Sequence, residues 1–92
     1  MTVWLPGVLR PDAGGATRIT TELVAGATLG DLFAELAAAH PRLERRVRDE
    51  RGEIRRYVNV FLDGVESRRC GGLAAPLRDG QEISIIQSVA GG

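Results

Sequence analysis

Residues 57–66, YVNVFLDGVE, constrain the fold more tightly than any other stretch of this chain. Val58, Val60 and Leu62 alternate with Asn59 and Phe61, then run into Asp63-Gly64, a dipeptide suited to the positive-φ positions of a two-residue hairpin turn. A chain built on that pattern contains an antiparallel sheet with two unlike faces. The apolar face needs a cover, and the sequence offers one. Thr28 stands as an N-cap with Asp31 three residues on, and Leu29, Leu32, Phe33, Leu36 and Ala37 follow at helical spacing until Pro41. This predicts a helix over residues 29–40.

The remaining segments are arranged around that pair. TVWL (residues 2–5) and TRITTEL (residues 17–23) read as strands, joined by a loop that holds Pro6, Gly7 and the turn-rich residues 11–15. Residues 42–56 carry seven arginines against four acids and read as a solvated connector, with one short helical turn suggested by the spacing of Leu43 and Val47. GGLAAPLRDGQ is a loop with a second Asp-Gly turn, and EISII (residues 82–86) is the last strand. The order is strand, strand, helix, strand, short strand, strand. In a chain of this length it predicts an α+β fold, a mixed sheet wrapped around one main helix, the β-grasp arrangement of ubiquitin. That fold serves redox proteins, adaptors and modifiers alike, so it does not fix a function.

Ninety-two residues suffice for one domain, with a body over residues 1–87 and a flexible tail over residues 88–92. The formal charge is zero, and no field of one sign argues for nucleic acid or a membrane surface. The arginines lack interleaved aromatic residues that would stack bases. Neither a basic leader with an apolar core nor a run of about 20 apolar residues is present, so a soluble, cytoplasmic protein is expected. One cysteine and one histidine cannot build a disulfide or a four-ligand metal site, so no bound metal or cofactor is expected. Cys70 reads as a small, buried or half-buried thiol. His40 has no nucleophile or metal partner nearby in sequence and reads as a helix C-terminal residue that suits the dipole there. CGGLAAPLRDG lacks the Gly-Lys-Ser/Thr of a phosphate-binding loop. An independent enzyme is therefore not indicated.

The period-two rule assigns Val3, Leu5, Val58, Val60, Leu62, Ile83 and Ile85 to the core, against Leu32, Phe33 and Leu36. It sends Trp4, Phe61 and Ile86 to the opposite face. If their three strands are neighbours, that face carries an exposed apolar patch, a common mark of a protein interface. A loop over one of these side chains, or a phase shifted by one residue, would remove it.

After the last strand the chain reads IIQSVAGG. Ser88, Val89, Ala90, Gly91 and Gly92 are small, and glycine lets a backbone approach closely where a Cβ would block it. Together with LPGVLRP, TLGDLFAEL, RRYVNVFLDGVESR and GGLAAPLRDGQEI, the VAGG end resembles the ubiquitin-like sulfur carriers of the thiamin, molybdopterin and cysteine pathways, most of all the actinobacterial cysteine branch. The resemblance covers nearly the whole chain. It implies that the carboxylate of Gly92 is adenylated with ATP by a ubiquitin-activating-type enzyme and converted to a thiocarboxylate. That sulfur then passes to a biosynthetic acceptor, in the cysteine branch a pyridoxal-phosphate cysteine synthase, with a metalloprotease releasing the product. Ser88, Val89, Ala90, Gly91, Phe61, Ile86 and Trp4 become partner-binding residues, and the chain is a cosubstrate rather than an enzyme. Many relatives carry prolines before this end, where Gln87 and Ser88 stand here, which implies a more flexible tail. Two other readings use the same body: a modifier joined through Gly92 to target lysines, and a plain interaction module. The chain itself contains no lysine.

Overall fold

The computed structural model describes residues 1–23 and 26–87. Five strands, β1 (Thr2–Trp4), β2 (Arg18–Thr20), β3 (Val58–Leu62), β4 (Val65–Glu66) and β5 (Glu82–Gln87), form one sheet in the order β2-β1-β5-β3-β4. β1 and β5 run parallel and the other neighbours antiparallel. The helices α1 (Leu29–Ala39) and α2 (Pro41–Val47) cover the sheet's inner face. This is the β-grasp fold, as the order of elements predicts.

The local chemistry accounts for the elements. Thr28 Oγ1 accepts from the Asp31 N–H at 3.2 Å while the Asp31 carboxylate accepts from the Thr28 N–H at 2.8 Å, a reciprocal cap that satisfies two donors of the first turn. Leu29, Leu32, Phe33 and Leu36 then bury the inward stripe of α1. At the β3–β4 turn, Asp63 (φ 49°) and Gly64 (φ 85°) both adopt the left-handed region. Aspartate tolerates this and glycine adopts it freely, so the turn matches the twist of its strands. The core positions expected from period two are all buried: Val3, Leu5, Val58, Val60, Leu62, Ile83 and Ile85 form one cluster with Leu32, Phe33 and Leu36.

Three segments differ from the sequence expectation. The loop after β1 is a 3-10 helix, Gly7–Ala13, that buries Leu9 completely. The second strand shrinks to Arg18–Thr20, the three residues paired with Thr2–Trp4 of β1, with Thr21 adding one more backbone bond to Met1 O. The arginine-rich connector is more than solvated chain: α2 buries Leu43 and Val47 under its exposed arginines. His40 does end α1, its N–H bonding to Leu36 O, and serves at once as the joint to α2. Cys70 is half-buried, with Sγ donating to the Glu66 carbonyl at 3.7 Å.

Candidate functional site

β5 lies at the centre of the sheet, so its last residue, Gln87, stands at the middle of one end rather than at an edge. Its final pair is Gln87 with Val58, the first residue of β3. Arg68 braces that end. Its Nη2 donates to Val58 O at 3.1 Å and Arg55 O at 3.2 Å, and its Nη1 to Asn59 Oδ1 at 3.3 Å and Glu66 Oε1 at 2.8 Å. Sequence reasoning missed Arg68, since its acceptors include groups 9 to 13 residues away and no local pattern marks them. The expected site residues Ser88, Val89, Ala90, Gly91 and Gly92, and with them the proposed tail, lie outside the described residues.

The other three expected site residues do share the outer face of the sheet. Ser84 on β5 is paired with Trp4 on one side and Phe61 on the other, and Ile86, one step closer to the end of β5, is paired with Asn59. Trp4 and Phe61 are half-buried, and Ile86 is 48% exposed. The patch is less open than three bare apolar side chains. The Arg18 guanidinium lies 5.5 Å from the centre of the Trp4 ring, a cation–π contact that covers part of it. The small side chain of Ser84 stands between the two aromatic positions. Tyr57, 42% exposed and directly before β3, adds aromatic surface at the same end and was not anticipated.

Two carboxylates elsewhere have their acidity raised by hydrogen bonds. Asp63 is held below the usual carboxylate range, first by the Glu82 N–H and then by Arg78. Asp49 is lowered by the Glu53 N–H, with help from the Arg51 N–H and from the charges of Arg51 and Arg55. Both carboxylates accept backbone N–H bonds next to turns, Asp63 from Glu82 and Asp49 from Arg51 and Glu53. Among the described residues, no three His, Cys, Asp or Glu side chains converge as a metal ion would require. No described helix is long and apolar enough to cross a membrane. What the described residues offer here is a part-exposed aromatic and aliphatic surface at the end where β5 stops.

A family model, the ThiS family, matches residues 3–92. The chain belongs to the ThiS family. Sulfur carrier protein CysO of Mycobacterium tuberculosis is 34% identical over 94 residues, covering 100% of this chain and 98% of that relative. A chain of the Amycolatopsis orientalis BexX/CysO complex superposes with a TM-score of 0.86 at 31% identity, covering 99% of this chain and 98% of its own length. Small archaeal modifier protein 1 of Haloferax volcanii is 32% identical over 81 residues, 88% of each chain. The resemblance read from the sequence and the ThiS family match therefore coincide, and the match runs through Gly91 and Gly92.

Proposed function

We propose that this ThiS-family chain is a sulfur carrier whose reacting group is the carboxylate of Gly92. A carboxylate is a poor acyl donor at neutral pH. A ubiquitin-activating-type enzyme would therefore join it to the α-phosphate of ATP, releasing pyrophosphate. Attack by sulfide on that acyl-adenylate expels AMP and leaves a C-terminal thiocarboxylate; attack by a persulfide also expels AMP but gives an acyl disulfide, whose S–S bond a second thiol then cleaves to release the thiocarboxylate and a disulfide. The thiocarboxylate sulfur is ionised and soft, so it attacks an electrophilic acceptor by the logic that makes thiolates reactive. The chain supplies no acid or base. Its parts in the reaction are the reach of Ser88, Val89, Ala90, Gly91 and Gly92 and the docking of Trp4, Phe61 and Ile86.

The observation that carries this reading is the full-length match to a protein named as a sulfur carrier, continuing to the final diglycine. It also favours the cysteine-forming acceptor, a pyridoxal-phosphate enzyme, over the thiamin and molybdopterin branches, and a location in the cytoplasm where those enzymes work. The test is the intact mass after incubation with ATP, sulfide and an adenylating enzyme. The full chain should gain the difference between a sulfur and an oxygen atom, and a Gly92-deleted chain should not. No gain, with an enzyme active on another carrier, overturns the reading. The archaeal modifier relative supports a second one, conjugation through Gly92 to lysines of other proteins; isopeptide-linked adducts in lysate would mark it.

A further inference from the structure

The formal charge of zero conceals a separation of charge along the strands. At the end where β5 stops, Arg68 holds the Val58 and Arg55 carbonyls, and Arg55 and Arg56 lead into β3. Arg18 opens β2 opposite Trp4, and Arg10 Nε donates to Leu5 O just past β1. Two carboxylates offset part of this charge: Glu66, paired with Arg68 at 2.8 Å, and Asp49, on which the charge of Arg55 acts. Bonds to carbonyls and to an aromatic face leave a guanidinium's charge intact, and Arg56 has no ion pair among the described residues. The other end reverses the sign. Glu22 follows β2, Asp63 follows β3, and Asp79 and Glu82 lie at the start of β5, against two cations, Arg78 bonded to Asp63 at 3.0 Å and the Met1 ammonium bonded to the Thr21 carbonyl at 2.9 Å.

We infer that this basic collar docks on an acidic rim around the opening through which the activating enzyme admits the chain's end. The inference rests on the carrier reading above and adds the chemistry of the partner's surface. When the five tail residues are extended, Gly92 is carried about 17 Å from the collar, roughly twice the screening length of about 8 Å at physiological salt. The collar's field is spent on whatever surface meets the end of the sheet. An acidic surface there is attracted by the collar and repelled by the opposite end, so the polarity aligns the carrier with Gly92 foremost before contact.

The experiment measures loading rates of the full chain by an adenylating enzyme over a range of salt. Wild-type kcat/KM should fall steeply as salt rises. Replacing Arg56→Glu together with Arg18→Glu should lower kcat/KM about tenfold at low salt through KM, with kcat retained and most of the deficit erased at high salt. Asp79→Arg, at the opposite end, should stay within about twofold of wild type. Loss of packing at Trp4 alone would give a deficit that salt does not erase, and that result rejects the collar. A flat salt response of the wild type rejects it without any variant. Absence of loading in the wild type rejects the carrier reading as well, so the two failures are distinguishable.

Discussion

On the inner face of β5, Ile83 and Ile85 are almost fully buried in the cluster that includes Leu32 and Phe33 of α1. One residue away on the same strand, Ser84 and Ile86 stand on the outer face beside Trp4, Phe61 and Asn59, and Ile86 is 48% exposed. The two faces share backbone, register and hydrogen bonds. They differ only in what meets the side chain after folding, protein in one case and solvent in the other. An apolar side chain on the inner face stabilises the domain, whereas the same chemistry on the outer face contributes little until a partner removes it from water. The proposal that the outer face docks a partner therefore predicts that folding and recognition are separable residue by residue along this strand.

The largest test of that separation is Ile83→Ala. A fully buried isoleucine truncated in a packed core costs about 2–5 kcal/mol, so chemical denaturation should show a large loss of stability. Loading by the activating enzyme should stay normal while the chain remains folded. Phe61→Glu should give the opposite pattern. Its stability should change by about 1 kcal/mol or less, as for a half-exposed position away from the core, while affinity for the activating enzyme drops about tenfold or more. If Phe61→Glu unfolds the domain, or binds as well as wild type, the outer face is ordinary surface and the comparison breaks.

What the sequence made legible follows from the range of the forces involved. Thr28 with Asp31, the stripe Leu29, Leu32, Phe33 and Leu36, and the run from Val58 into Asp63-Gly64 are each decided within a few residues, and each stands where expected. Leu9 was hidden because a 3-10 helix with Pro11 inside it presents no repeat long enough to distinguish from a loop. Leu43 and Val47 were visible as a helical pair, but their complete burial depends on packing against α1 and the Gly7–Ala13 turn. Arg18 over Trp4 and Arg68 over the start of β3 depend on strand register, which sets contacts between segments distant in sequence. The same limit holds for the charge separation, since a chain of zero net charge shows it only when its strand ends are placed. The final diglycine was legible through family resemblance, and its chemistry stands as a proposal.

The finest test concerns what keeps the two faces from exchanging. A slip of one residue between β3 and β5 would turn Ile83 and Ile85 outward and Ser84 and Ile86 inward. Asp63 opposes that slip at the end of the pair. Its N–H donates to Glu82 O at 2.8 Å, its Oδ1 accepts from the Glu82 N–H at 3.0 Å, and its Oδ2 accepts from Arg78. These bonds favour the ionised carboxylate, above all the one from the Glu82 N–H, and lower its pKa in the folded chain. The unfolded chain therefore binds the proton more readily. The stabilisation is complete above the unfolded pKa and is lost as pH falls through the carboxylate range to the folded value. Asp63→Asn keeps an oxygen acceptor and a residue that tolerates positive φ, yet removes the titration. Its stability should decline less steeply on acidification than that of wild type. The remaining slope should come in part from Asp49, which is shifted in the same direction. Because Asp63 is solvent-exposed, the difference should be small and should show as a shallower acid limb in denaturation midpoints. An acid limb unchanged in Asp63→Asn would mean that the charge of Asp63 contributes nothing to holding this register.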